Sequence, residues 1–181
     1  VLIAADRSVL LVIDMQEKVL PVIDSHEDLV ANVAWLIRAA QKIDVPVCAS
    51  EHYPKGLGHT AKAIRTLLPD GAIGTKNHFS GVSAQCLGRL PGADRPQIVV
   101  IGVEAHVCVL QTALELLEEG KEVFVVADCV GSRRPFDRDV ALARLRQEGA
   151  RIVTREMVVF EWLGRAATQL FDDVSREFLR V

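Results

Sequence analysis

Apolar residues fall into two spacings along the chain, and the alternation of the two sets out its elements. Short, unbroken, largely β-branched runs stand at "SVLLVID" (8–14), "VPVCAS" (45–50), "AIGTK" (72–76), "QIVVIG" (97–102), "EVFVVAD" (122–128) and "ARIVT" (150–154). Runs of this length without polar alternation are expected of strands covered on both faces. Between the first two, Leu29, Val33, Leu36, Ala40 and Ile43 recur at steps of four and three, which predicts an amphipathic helix over 26–44. Shorter helical patterns occupy 60–67, 83–90, 137–148 and 156–163. Beyond Gly102, Val107, Leu110, Leu114 and Leu117 settle into helical spacing. The tail, 165–180, places Ala167, Leu170, Phe171, Val174 and Phe178 on one face and is expected to dock as a last helix.

Strand and helix thus alternate about six times, with no repeat and no Pro/Gly/Ser linker. Closing a barrel would take about eight such units. The pattern predicts an α/β fold: a doubly wound, mainly parallel six-stranded sheet of Rossmann-like type, with helices on both faces and right-handed crossovers. A length of 181 residues fits one domain over 1–181.

Composition narrows the function classes. Half of the residues are hydrophobic and a quarter charged, with no low-complexity tract. A net charge of −3 gives no general attraction to nucleic acid or anionic lipid, so neither is expected as a partner. No apolar run approaches the roughly 18 residues of a membrane span, and "VLIAADRSVLLVID" lacks the pattern of a signal peptide. A cytoplasmic protein is expected. Cys48, Cys86, Cys108 and Cys129 are spaced too widely for C-x-x-C, which argues against a zinc knuckle or a redox pair and for free thiols.

In sheets of this type ligands bind beyond the carboxyl ends of the strands. The residues leaving those ends are Asp14, Glu51, Lys76, Cys108 and Asp128. Each has a plain structural alternative: an Asp capping a turn, a solvated Lys, a Cys packed in a first helical turn. Together they offer a thiol with what it needs to react. A helix N-terminus and a cation favour the thiolate, and a carboxylate in reach can take the thiol proton and return it to a leaving group. No competing signature occupies the edge: "IDMQEK" is not G-x-G-x-x-G, "KGLGHT" lacks the P-loop ending, and no G-x-S-x-G elbow surrounds Ser80, Ser83 or Ser132.

"LLVIDMQ" with Asp14, "GTKNHFS" with Lys76 and "IGVEAHVCVLQTA" with Cys108 resemble, in order and spacing, the three motifs of the isochorismatase-like cysteine hydrolases. The resemblance runs from about residue 8 to residue 163, and "EHYPKGLGHT" and "DCVGSRRPFDRDVALARLRQEGA" look nearest to the branch called isochorismatase domain-containing proteins. It implies that Asp14 is the general base, that Lys76 stabilises the thiolate and orients Asp14, and that Cys108 is the nucleophile. It further implies a non-proline cis peptide between Val103 and Glu104, with the backbone N–H groups of Glu104 and Cys108 forming an oxyanion hole. Gln16, Tyr53, Phe79 and His106 lie within a few residues of the motifs and are candidates for the pocket wall. Loop packing explains each of them equally well.

The sequence departs from the nicotinamidases of that superfamily, which hold a metal through D-x-H and a further His. "SEHYPKGLGHT" offers Glu51, His52 and His59 instead, so no metal and no cofactor is expected. Glu51 and Asp128 are read as turn caps or partners of Arg133 or Arg134. The expected activity is cleavage of a C–N, amide-like bond of a small molecule through a thioester. Two rivals stand beside it: a vinyl-ether hydrolase in which Asp14 is the acid, and a non-catalytic scaffold. A Cys108 thiol titrating well below about 8.5 favours the enzyme. A homo-oligomer is expected, with the tail helix and the segment around Phe136 as candidate contacts.

Overall fold

The computed structural model describes residues 1–179; Arg180 and Val181, which close the predicted tail helix and domain, lie outside the described residues. Six strands form one wholly parallel sheet: β1 (Ser8–Ile13), β2 (Val47–His52), β3 (Ile73–Lys76), β4 (Gln97–Val103), β5 (Glu122–Gly131) and β6 (Arg151–Val153). Their order is β3-β2-β1-β4-β5-β6, so the chain winds outward from β1 in one direction and then restarts on its other side at β4. The carboxyl ends of β1 and β4 therefore flank the reversal of winding, the place where such sheets open a crevice.

Helices cover both faces: α1 (His26–Lys42), α2 (Pro54–Leu57), α3 (Lys62–Arg65), α4 (Leu110–Glu118), α5 (Pro135–Gln147), α6 (Arg155–Leu163) and α7 (Gln169–Val174). Alternate strand residues face opposite cores, which is why the strands read as continuous apolar runs. Leu10, Val12, Val99, Ile101 and Phe124 pack on α1 and α6, while Val9, Leu11, Ile98, Val100 and Val125 pack on α4 and α5. At the crossing of β1 and β4 only glycine fits. A Cβ on Gly102 would lie 2.0 Å from the Ile13 carbonyl oxygen, and the residue has φ +116°.

Several predicted boundaries move for identifiable reasons. α1 stops at Lys42 because Asp44 turns left-handed (φ 64°) and the Val45 N–H returns to the Ala40 carbonyl. No helix forms over 83–90, where turns replace it. The Glu115 carboxylate takes the Ser83 N–H and the hydroxyls of Ser80 and Ser83, and Gln85 is left-handed at φ 53°. Side-chain acceptors have there displaced the helical backbone bonds. The tail helix begins at Gln169, because the Thr168 hydroxyl caps the Phe171 N–H. Its inward face keeps Val174 and Phe178, the latter edge-on to Trp35 at 5.7 Å, while Ala167 and Leu170 are exposed. Among the described residues no helix is long and apolar enough to cross a membrane.

Candidate active site

β1 delivers Asp14 to the crevice and ends there. With φ at 51°, Asp14 adopts the left-handed conformation that short polar side chains tolerate best, and the chain turns sharply away. Its carboxylate is almost wholly buried and held from two sides. The Lys76 Nζ donates to Oδ2 at 2.7 Å, and the Ser50 hydroxyl donates to Oδ1 at 2.7 Å. Lys76 is the last residue of β3, two strands away, and its side chain has no solvent exposure. Its ammonium also donates to the carbonyls of Phe79 (2.9 Å) and His78 (3.4 Å), so all three N–H bonds have acceptors. A buried pair persists when its remaining polar valences are met in this way.

Cys108 reaches the same point from β4. The Val103–Glu104 peptide is cis, and a π-helical turn, Ala105–Val109, follows before α4 begins at Leu110. Cys108 thus stands two residues ahead of the regular helix, in a turn whose Val107 and Val109 N–H groups both donate to the Glu104 carbonyl. Burial pushes the thiol up to about 12, the Asp14 charge adds to this, and Lys76 opposes it. The direction is the reverse of the thiolate expected from sequence. A helix start and one cation favour ionisation, but the cation is already neutralised by a carboxylate that itself faces the sulfur. Burial and the Asp14 carboxylate thus favour the thiol over the thiolate.

Asp14 and Cys108 lie on the floor of a cavity of about 300 Å³. Val19, Val22, Leu57, Phe79, Val103 and Val107 supply its apolar wall, with His52 also on the wall and Lys18, Glu104 and Arg133 completing the lining. Of the residues suggested for the wall, Phe79 lines the cavity and is half exposed. Gln16 also borders it, but its amide is spent on bracing the 52–58 loop: Oε1 accepts the His52 N–H, and Nε2 donates to the carbonyls of His52 and Gly58. Tyr53 points elsewhere, into a neighbouring cleft with Thr75, Asn77 and His78, because its left-handed backbone (φ 41°) turns the ring over Gly56. His106 is likewise off the wall and bonds through Nδ1 to the Ser132 hydroxyl at 2.9 Å. Sequence reasoning missed Ser50, whose signal is its position directly beside Ile13 in the sheet register, and the apolar wall from Val19, Val22 and Leu57.

The remaining acids of the carboxyl edge serve structure. Glu51 lies inside β2, and its carboxylate accepts the Thr60 N–H (2.7 Å) and hydroxyl (2.8 Å) and faces His59 Nδ1 at 3.1 Å. Burial raises its affinity for a proton, but the Thr60 bonds and His59 outweigh this and lower the carboxyl below its usual value. Asp128 lies within β5, which runs to Gly131, and caps the Arg155 N–H at 2.9 Å. Neither pairs with Arg133 or Arg134 as the sequence reading allowed; Arg133 binds Glu104. His52 stacks obliquely on Phe79 at 5.3 Å, and burial followed by the Lys76 charge lowers its pKa against the pull of Asp14. Among the described residues no group of three or more His, Cys, Asp or Glu side chains is placed to hold a metal ion.

The family model described as the isochorismatase domain matches residues 8–157. Isochorismatase domain-containing protein 2 of Danio rerio is 39% identical over 174 residues, covering 93% of this chain and 85% of its own length. The structure of MAR1 ribonuclease from Caenorhabditis elegans is similar with a TM-score of 0.88 and 34% identity, covering 99% of this chain and 93% of that one. The ycaC gene product of Escherichia coli, described as an octameric hydrolase of unknown specificity, shares the fold at a TM-score of 0.86 and 24% identity, over 91% of this chain and 83% of its own.

Proposed function

The chain belongs to the isochorismatase family, and from that premise we propose that it is a hydrolase in which Cys108, Asp14 and Lys76 cleave a C–N bond of a small amide-like substrate. One observation carries the reading: the carboxylate that Lys76 holds at 2.7 Å lines the same cavity of about 300 Å³ as Cys108. A cavity of that size suits a small molecule, and the net charge of −3 gives no support to a nucleic-acid substrate.

A thiol pushed up to about 12 does not ionise by itself at neutral pH, so the proton must leave as the carbon–sulfur bond forms. Asp14 takes the proton while Sγ attacks the carbonyl carbon, and the oxyanion is received by the backbone N–H groups of Glu104 and Cys108. Collapse of the tetrahedral adduct breaks the C–N bond, and Asp14 protonates the departing amine or ammonia. Asp14 then deprotonates water, which attacks the thioester carbonyl; the acid leaves and the thiol recovers its proton. Lys76 holds Asp14 in place and balances its charge in every step.

A second reading has one observation in its favour. Burial raises the Cys108 thiol, and an Asp14 that need not ionise it can instead deliver a proton to a vinyl ether in a C–O hydrolysis. A screen of small primary amides, hydroxamates, carbamoyl compounds and isochorismate, scored for ammonia and pyruvate, separates the two. Ammonia release lost in Cys108→Ala supports the thioester route; pyruvate release that survives in Cys108→Ala supports the other. We also propose a homo-oligomer, supported by the octamer described for the E. coli relative and by the exposure of Phe136 (74%) and Val140 (51%) on α5.

A further inference from the structure

We infer that Glu104 and Arg133 form a clamp that positions the oxyanion-binding turn, an inference that rests on Cys108 being the nucleophile. Glu104 follows β4 directly and opens the turn that carries Cys108. Its Oε2 accepts both the backbone N–H of Arg133 and the Arg133 Nε, each at 3.0 Å. Its carbonyl accepts the Val107 and Val109 N–H groups at 3.1 Å. The residue bearing one proposed oxyanion donor is thus fixed from two directions, by its own turn and by the segment that follows β5. Two residues on, His106 bonds the buried Ser132 hydroxyl, tying the same turn to the same segment a second time.

Stability alone gives little reason for the Glu104–Arg133 contact. The Arg133 side chain is 60% exposed, and ion pairs open to water contribute little to folding. Both residues line the cavity above Cys108, where small displacements count. A donor aimed at a developing oxyanion acts only when it lies within hydrogen-bond reach of that atom, and a misplacement of about 1 Å costs on the order of 100-fold in rate. Glu104 and Arg133 are therefore positioning residues. They act through the peptide N–H and need not touch the reacting atoms.

Two reactions of Cys108 distinguish such a role from a general one. Acylation by p-nitrophenyl acetate passes through an oxyanion, whereas alkylation by iodoacetamide displaces iodide at a saturated carbon and forms none. In Glu104→Ala the first-turnover release of nitrophenolate is expected to fall by about 10- to 100-fold with the half-saturating ester concentration within about twofold of wild type. The alkylation rate is expected to stay within about twofold. Glu104→Gln, which keeps an acceptor for the Arg133 N–H, recovers most of the loss, and Arg133→Ala, which retains the backbone bond, shows a smaller loss of the same kind. Acylation at the wild-type rate in Glu104→Ala, or alkylation and acylation falling together, overturns the clamp. Cys108→Ala run in parallel separates the premise from the inference. Release abolished there with Glu104→Ala unaffected removes the clamp alone, while undiminished release in Cys108→Ala removes the nucleophile and the clamp with it.

Discussion

Asp14 and Glu51 are acids at the carboxyl edges of neighbouring strands, both about 4% exposed in their side chains and each held by a nitrogen-bearing side chain and a hydroxyl. Their surroundings differ. Asp14 receives its cation, Lys76, from two strands away, faces a thiol from a third and borders a cavity. Glu51 spends its oxygens on His59 and Thr60, eight and nine residues further along the chain, and borders none of the wall around Cys108. A buried carboxylate closed off by its own loop is a fastener. One shared among strands and left open toward a cavity is free to exchange a proton, as the proposed reaction requires.

Substitutions at the two acids give the largest contrast. Asp14→Asn removes the base while keeping shape, and hydrolysis of the substrate found by screening should fall by about 10²- to 10⁴-fold. Glu51→Gln should leave the rate within about threefold, and equal losses at both positions would erase the distinction. Next comes stability. Lys76→Ala strands the Asp14 charge in the interior, at a cost of about 3–5 kcal/mol in urea unfolding, and adding Asp14→Asn should restore part of it. Glu51→Gln leaves the Thr60 donors poorly matched and should cost about 1–3 kcal/mol.

A change of pH should loosen the two clusters from opposite ends. Glu51 is lowered in the fold from 4.5, so its contribution is present above that pH and is lost as pH falls through the folded value. Cys108 is raised from 9.0 to about 12, so the unfolded chain loses its proton first, and stability should decline as pH rises from about 9 towards 12. Melting temperatures across that alkaline range should fall less steeply in Cys108→Ala. Cys48, raised to about 12 chiefly by burial, adds to the same decline and serves as the control away from the cavity.

Much of the fold was legible because apolar spacing reports which faces are covered. β1, β2, β4 and α1 are buried in the rhythm their residues announce, whereas the edge strands β3 and β6 are only partly covered. Spacing is blind to side chains that bond across loops. Glu115 seizing Ser80 and Ser83 replaces a helix with turns at 83–90, and Asp128 inside β5 turns out to cap Arg155. At the cavity, the motif positions lie beside one another because strand order is fixed by the winding of the sheet. Tyr53 and His106 are near in sequence yet face elsewhere, since a left-handed residue and a π-helical turn redirect them, and neither leaves a mark in apolar periodicity. The upward shift of the Cys108 thiol has no mark in the sequence, which displays Lys76 and Asp14 as separate charges, while in the fold they pair with each other at 2.7 Å.

The most direct test is mass spectrometry of the protein quenched in acid during turnover of an amide or activated ester, with peptide mapping of the product. An acyl group on Cys108 that appears within the first turnover, is absent in Cys108→Ala and persists longer in Asp14→Asn is the predicted result. Turnover with Cys108 unmodified at every time point would contradict the covalent route.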